Sequence, residues 1–250
     1  MTHVVRSLDS GIAVVALKRG KVNALNEDVV AELDQAFDGI AGDPAVRACI
    51  LTGHGPFFSF GFDVPGFMDH TREAFSAFLE GFTDFYTKLF TFPKPVVAAL
   101  NGHTVAGGCM LAIACDRRIV AEGRGRIALN EVTFGASVFA GCVAMLQACA
   151  GHHNAEQILF SGAMLGPAEA LDLGLVDQVV PAAELIPAAE ALATDLARGD
   201  ATAFASIKGL LRQPIAERMR RREADSIREF VDIWYSEAMR GRLREIRIRD

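Results

Sequence analysis

The chain has 250 residues, 51% of them apolar, with 25 basic against 31 acidic side chains and a net charge of −6. That length allows one or two domains around an ample core, and the acidic balance argues against a surface built wholly for nucleic acid. No run reaches the roughly 18 uninterrupted apolar residues of a membrane helix, because the two longest candidates are broken by Asn101, His103, Gly107-Gly108, Gly135 and Gln147.

Residues 1–6 form neither the apolar segment of a signal peptide nor an Arg/Ser-rich presequence, so a cytoplasmic protein is expected. Gly11–Leu17 is a β-branched run bounded by glycine and reads as a buried strand. Asn26 reads as an N-cap, and Val29, Val30, Leu33, Ala36 and Phe37 follow at helical spacing, predicting an amphipathic helix over Glu27–Ile40. Ala45–Thr52 is the next strand and Gly53–Gly66 a Gly/Phe-rich loop. Phe75, Phe78, Phe82, Phe85 and Leu89 recur every three or four positions, so Thr71–Phe90 is a long helix stopped by Pro93 and Pro95. Val96–Leu100 is a buried strand. A turn follows, and Gly107 opens a helix ending near Asp116. Ile119–Ala121 and Arg126–Leu129 are short strands. Beyond Glu131 helices dominate, from about Val138 onward, with one brief strand at Leu175–Val180.

This order describes strand–strand–helix units followed by a helical third, which fits parallel strands with crossover helices. We expect a core over residues 1–195 and a helical region over 196–250, packed on that core or on a neighbouring subunit. A mean hydropathy of +0.24 agrees with a large shared interface. The five cysteines, Cys49, Cys109, Cys115, Cys142 and Cys149, sit in apolar stretches without a CxxC pair and read as reduced, buried thiols. Residues 217–250 hold ten arginines against eight acids, a net +2. Acids are interleaved at helical spacing there, as on a solvated, salt-bridged helix face.

Three segments could carry chemistry. Phe57–Val64 is a Gly-containing loop after a strand. Asn101–Met110 passes from strand to turn to a helix opened by Gly107-Gly108, where backbone N–H groups can approach a ligand oxygen closely. Within Ile127–Phe134, Glu131 is a lone carboxylate among apolar neighbours, whose pKa desolvation would raise toward that of a general base. His103 reads as a polar loop residue. His152-His153 precede a helix at Asn154 and lack a third ligand at metal spacing, so no metal site is expected.

Four motifs stand in order along almost the whole chain: Gly11–Leu17 with Lys21-Val-Asn-Ala-Leu25; Phe58-Ser-Phe-Gly-Phe-Asp63; Pro93–Gly102 through Ala106-Gly-Gly-Cys109 and Cys115-Asp116; and Leu171-x-x-Gly-Leu-Val-Asp177 through Val180-Pro181. Together they resemble the crotonase (enoyl-CoA hydratase/isomerase) superfamily. The resemblance implies an α/β crotonase-like fold, with repeated ββα units forming a spiral core and a helical C-terminal trimerisation region. It also implies an enzyme that binds acyl-CoA thioesters and stabilises an enolate at the thioester carbonyl. By position, the backbone N–H groups of Phe62 and Gly107 would form the oxyanion hole. Phe60, Gly61, Asp63 and Val64 would line the acyl-thioester and pantetheine path, and Lys21, Val22 and Ala24 would lie near the adenine end. Phe60 departs from the small residue usual at its position.

Hydratases of this superfamily carry two glutamates, at the positions of Met110 and Glu131. Here Met110 replaces one, and Met110-Leu111 with Asn130-Glu131-Val132 resemble the mitochondrial type of Δ3,Δ2-enoyl-CoA isomerase. Glu131 would then be the single base that moves a proton from C2 to C4, with Met110 and Asn130 contacting substrate. Met110, Leu111, Phe134 and Phe139 would supply an apolar pocket. No cofactor is implied, coenzyme A being part of the substrate. The implied assembly is a homotrimer or dimer of trimers, with neither nucleic acid nor membrane as partner. Alternatives are an enoyl-CoA hydratase or another crotonase reaction on a CoA thioester that draws on Asp63, Asp69 or His103. A non-catalytic acyl-CoA-binding or RNA-binding crotonase is a further alternative, from another functional class.

Overall fold

Two sheets, built alternately by successive repeats, organise the chain, of which the computed structural model describes residues 2–243. The end of the Arg-rich tail, 244–250, lies outside the described residues. β1 (Val4–Asp9) and β2 (Ile12–Leu17) form an antiparallel hairpin. Its two turn residues, Ser10 and Gly11, both have positive φ, 49° and 82°, as a two-residue hairpin turn of the primed type requires. α1 (Glu27–Gly42) is capped by Asn26, whose Oδ1 accepts the Val29 N–H at 3.2 Å. Then follow β3 (Ala48–Gly53), β4 (Phe57–Ser59), α2 (Val64–Phe67) and α3 (Arg72–Phe90). A second unit comprises β5 (Val96–Leu100), β6 (His103–Val105) and α4 (Gly107–Ala114). A third comprises β7 (Arg117–Ala121), β8 (Ile127–Ala128) and α5 (Glu131–Phe134). The remainder is α6 (Ala140–Ala150), α7 (His152–Ser161), α8 (Pro167–Asp172), β9 (Gln178–Val180), α9 (Leu185–Leu196), α10 (Ala201–Trp234) and α11 (Glu237–Leu243).

The large sheet runs β1-β2-β3-β5-β7-β9 and is parallel beyond the β1–β2 hairpin; the small sheet runs β4-β6-β8 and is parallel throughout. Each repeat thus gives its first strand to the large sheet and its second to the small one, which is the expected ββα spiral. Both faces of the large sheet are covered, so its central strands read as unbroken apolar runs rather than alternating ones. Cys49, Leu51, Ala98 and Leu100 face the core that contains α1 and α3. Their neighbours Ala48, Ile50, Val97 and Ala99 face Leu185, Ala189 and Ala193 of α9.

Two asparagines staple the turns between the sheets. Asn101 donates to Gly55 O (2.7 Å) and Phe57 O (3.1 Å) and accepts the Gly53 N–H (3.0 Å). Asn23, held at φ 49°, donates to the same Phe57 carbonyl (2.8 Å) and to His54 O (3.0 Å). These turns leave no room for side chains, and a Cβ on Gly102 would collide with the Pro56 carbonyl.

α10 returns across its own chain and packs on α3 and α6. Its first turns are anchored by charge. Lys208 (5% exposed) and Arg212 reach Asp116 at 2.7 and 3.1 Å, and Asp116 also accepts the Val96 N–H at 2.7 Å. Arg212 further donates to Phe90 O and Ala114 O, closing the C-terminal end of α4. Asp116→Ala would strand the buried Lys208 and the half-buried Arg212. It is expected to lower the unfolding free energy by about 3–5 kcal/mol, measurable by urea denaturation.

Three short strands depart from the sequence reading. β1 precedes the first expected strand and is nearly all exposed, so it carries no apolar run. β4 and β6 are three residues each, lie in segments read as loop and turn, and are too short for periodicity to register. His103 therefore sits in a strand rather than a polar loop, stacked on Phe57 at 4.9 Å. His152 and His153 form the first turn of α7 instead of preceding it.

Candidate active site

The three strands of the small sheet end at one place. Phe62 lies three residues beyond β4, Gly107 two beyond β6, and Glu131 three beyond β8. Side-by-side carboxyl ends of parallel strands are where α/β folds place their ligands.

The backbone explains which N–H groups are presented. Leu25 and Phe62 form an isolated parallel bridge in which Leu25 N–H donates to Gly61 O (2.8 Å) and Asp63 N–H to Leu25 O (2.9 Å). This pairing uses the groups on either side of Phe62 and turns its own N–H the other way. Gly107 is the first residue of α4, so its N–H has no partner within the helix. Ala106 before it is held at φ 50°, ψ −122°, a conformation that strains any residue with a Cβ. The two loops touch: a Cβ on Gly61 would lie 3.0 Å from Ala106 Cβ and 3.3 Å from Gly107 N. A Cβ on Gly107 would come within 2.9 Å of the Phe62 ring.

Glu131 opens α5 and is 4% exposed. Neither carboxylate oxygen has a hydrogen-bond partner among the described residues. Burial pushes its carboxyl up to about 8, opposed in part by the residue's own backbone N–H, which favours the charged form without making a full hydrogen bond. The carboxyl borders a cavity of about 610 Å³ whose lining is mainly apolar and aromatic, with Lys21, Asn130 and Thr133 as its other polar residues. Among the described lining residues Glu131 is the only acid, and Met110 is buried on α4 facing the same space. Glu131 also borders a second, shallower cavity of about 370 Å³ at the ends of α6 and α7.

Of the residues singled out in the sequence, Lys21, Val22, Phe60, Phe62, Val64, Gly107, Met110, Asn130 and Glu131 come together around the larger cavity. Ala24, Gly61 and Asp63 do not line it. Ala24 is buried and its carbonyl accepts from Arg19, Gly61 lies behind Phe62 against Ala106, and Asp63 pairs with Arg19 at 2.7 Å while capping α2. These three build the frame. Phe134 lines the cavity, but Leu111 and Phe139 are core residues one layer back. Phe57, Val105, Ala106 and Thr133, inside the three segments but not named there as contacts, also line the cavity, and sequence reasoning missed Phe230 and Trp234 altogether. The last two arrive on α10 from about a hundred residues away, and no local signal could have announced them. Asp69 and His103 are absent from the lining. Among the described residues no group of three His, Cys, Asp or Glu is placed to hold a metal ion, and no helix is long and apolar enough to cross a membrane.

A sequence model of the enoyl-CoA hydratase/isomerase family matches residues 7–241. The chain is 33% identical over 226 residues to human enoyl-CoA delta isomerase 1, mitochondrial, covering 89% of this chain and 74% of that one. It is 35% identical over 204 residues to a putative enoyl-CoA hydratase of Thermus thermophilus, covering 76% and 75% of the two chains. The crystal structure of human mitochondrial delta3-delta2-enoyl-CoA isomerase superimposes with a TM-score of 0.92 at 30% identity, over 98% of this chain and 96% of that one. The strand ends, the sealed carboxylate and these likenesses lead to one family: the chain is an enzyme of the crotonase superfamily, a member of the enoyl-CoA hydratase/isomerase family.

Proposed function

We propose that the enzyme converts a 3-enoyl-CoA into the conjugated 2-trans-enoyl-CoA through a single base. The observation that carries this reading is that Glu131 is the one acid among the described residues lining a mainly apolar cavity. The Phe62 and Gly107 N–H groups receive the thioester oxygen. Glu131 takes a proton from C2, and the electron pair moves onto that oxygen, giving a dienolate whose charge the two N–H groups stabilise. The same carboxyl returns the proton at C4, the double bond settles between C2 and C3, and the thioester carbonyl re-forms. Nothing else is consumed. Lys21 and Val22 face the coenzyme A portion, Phe60 and Val64 flank the thioester, and Met110 and Asn130 contact the acyl group. Coenzyme A enters only as part of the substrate.

Hydration would require a second group to position and activate water, and a thioether at Met110 does neither. An apolar, water-poor pocket also keeps the shuttled proton on its carboxyl. The exposed apolar residues Val132 and Phe160 agree with assembly as a homotrimer or dimer of trimers.

A paired ultraviolet assay tests the reaction. Absorbance of a 3-enoyl-CoA should rise as conjugation forms, while that of a 2-enoyl-CoA stays nearly constant. A falling signal in the second cuvette would mean that water is being added, and the single-base reading would be lost.

A further inference from the structure

Glu223 lies on α10, behind the aromatic wall of the cavity, and its carboxylate gathers three helices. Tyr86 of α3 donates its hydroxyl to Glu223 Oε1 at 2.8 Å. Ser226, nearly one turn along α10, accepts the Ala140 N–H at 3.0 Å, and its own hydroxyl donates to the Glu223 backbone carbonyl at 2.9 Å with Oε1 a weaker acceptor at 3.4 Å. The Gly141 N–H favours the charged form of the carboxylate, although Glu223 Oε2 makes no full hydrogen bond. Ala140 and Gly141 begin α6, whose N-cap residue Phe139 has no side-chain acceptor to offer. α10 therefore supplies the cap that α6 lacks. A Cβ on Gly141 would fall 2.6 Å from the Tyr86 ring and 2.7 Å from Glu223 Oε2, so glycine lets the pair close on the helix end.

Both partners of Glu223 lead to Phe62. The Tyr86 ring stands edge-on to Phe82 at 5.5 Å, and Phe82 stands edge-on to Phe62 at 4.9 Å. From the other side, Phe139 packs on Phe62 at 6.4 Å and on Phe82 at 6.5 Å. The Phe62 ring in turn covers Gly107 so closely that no Cβ would fit between them. The Phe62 ring, backed through Phe82 by the Tyr86 that Glu223 holds, is thus wedged against Gly107.

We propose that Glu223 is a positioning residue for the carbonyl clamp: by binding Tyr86 and the start of α6 together, it holds the Phe62 ring and so directs the N–H groups of Phe62 and Gly107. This rests on reading those two groups as the donors to the thioester oxygen. Donors that have drifted off line stabilise the developing charge less than the resting carbonyl, so the loss falls on kcat rather than KM.

The test is the infrared C=O stretch of saturated hexanoyl-CoA, carbon-13 labelled at the thioester, bound to wild type, Glu223→Ala, Tyr86→Phe and the double variant. Wild type should lower the stretch relative to free thioester. Glu223→Ala should return most of that shift and cost roughly tenfold in kcat, with KM changed less than threefold. Tyr86→Phe, which removes only a hydroxyl, should act in the same direction, and the double variant should be no worse than Glu223→Ala alone. Glu223→Gln keeps one acceptor for Tyr86 and should recover part of the effect. A wild-type stretch and kcat in folded Glu223→Ala, or in Tyr86→Phe should the first variant not fold, would overturn the role of Glu223 alone. No lowering in wild type would overturn the clamp itself.

Discussion

Glu131→Gln is expected to reduce kcat by roughly 10³-fold while acyl-CoA affinity changes only a few fold. The amide fills the same space but cannot take a proton from C2. Rapid-mixing kinetics alongside calorimetric titration with a saturated acyl-CoA separates the two effects. The pH profile carries a second signature. Burial holds the carboxyl at about 8, and the base must be ionised, so kcat/KM should climb about tenfold per unit below pH 8 and level off above it.

The same carboxyl has an opposite effect on stability. Its folded-state value of about 8 lies above the reference of 4.5, so between those limits the folded chain holds the proton more tightly than the unfolded one. The burden of a buried charge therefore grows as pH rises through that window and is constant above it. The unfolding free energy of Glu131→Gln relative to wild type should increase by about 3 kcal/mol between pH 5.5 and pH 9. Urea denaturation at the two pH values measures it. A difference independent of pH would mean that water reaches the carboxylate in the resting enzyme.

Gly61→Ala should be the second most damaging exchange, although residue 61 touches no substrate. Gly61 has φ of 91°, and an added methyl group would meet Ala106 Cβ at 3.0 Å and Val105 O at 3.1 Å. The backbone strain alone costs about 1–3 kcal/mol, and the methyl forces apart the two loops that present the N–H donors. We expect a drop in kcat of roughly 100-fold with a lower melting temperature. Gly20→Ala is the control. Its φ is also positive, at 55°, but nothing lies within 4 Å of an added Cβ. It should lose a little stability and no activity, and equal losses in the two variants would mean that crowding between the loops is not what matters.

The residues proposed as clamp and base could be brought together from the sequence because each lies in a short motif whose order along the chain resembles a known family. Phe62, Gly107 and Glu131 all lie around the larger cavity. The long helices were legible for a different reason: α1 and α3 bury one face each, and Phe75 to Leu89 record that face in their spacing. What stayed hidden is what depends on distant chain. The strands of the small sheet are two or three residues long and are held by Asn23, Asn101 and their partners, so no periodicity marks them. Asn23 and Asn101 themselves read as parts of a signature, yet their side chains are consumed by turn carbonyls. Asp63 looked like a ligand contact because it neighbours one, and its salt bridge with Arg19 emerges only in three dimensions. Trp234 and Phe230 close the cavity only because α10 packs back across the chain, anchored at its first turns by Asp116, Lys208 and Arg212 and beside the aromatic pair by Arg72–Asp232 and Tyr235–His70.

Each of three consecutive repeats delivers one working part at the end of its own small-sheet strand, and those strands lie about 4.8 Å apart whatever their side chains. In the proposed reaction the carbonyl is held by backbone atoms of the first two repeats, whereas the base is a side chain of the third. The groups proposed to hold the thioester are therefore separate from the residue proposed to move the proton. On the proposed reading the carbonyl is held by backbone alone, so an exchange of the Met110 or Glu131 side chain changes how the proton is handled and leaves both N–H donors in the chain: a backbone half and a side-chain half share one scaffold.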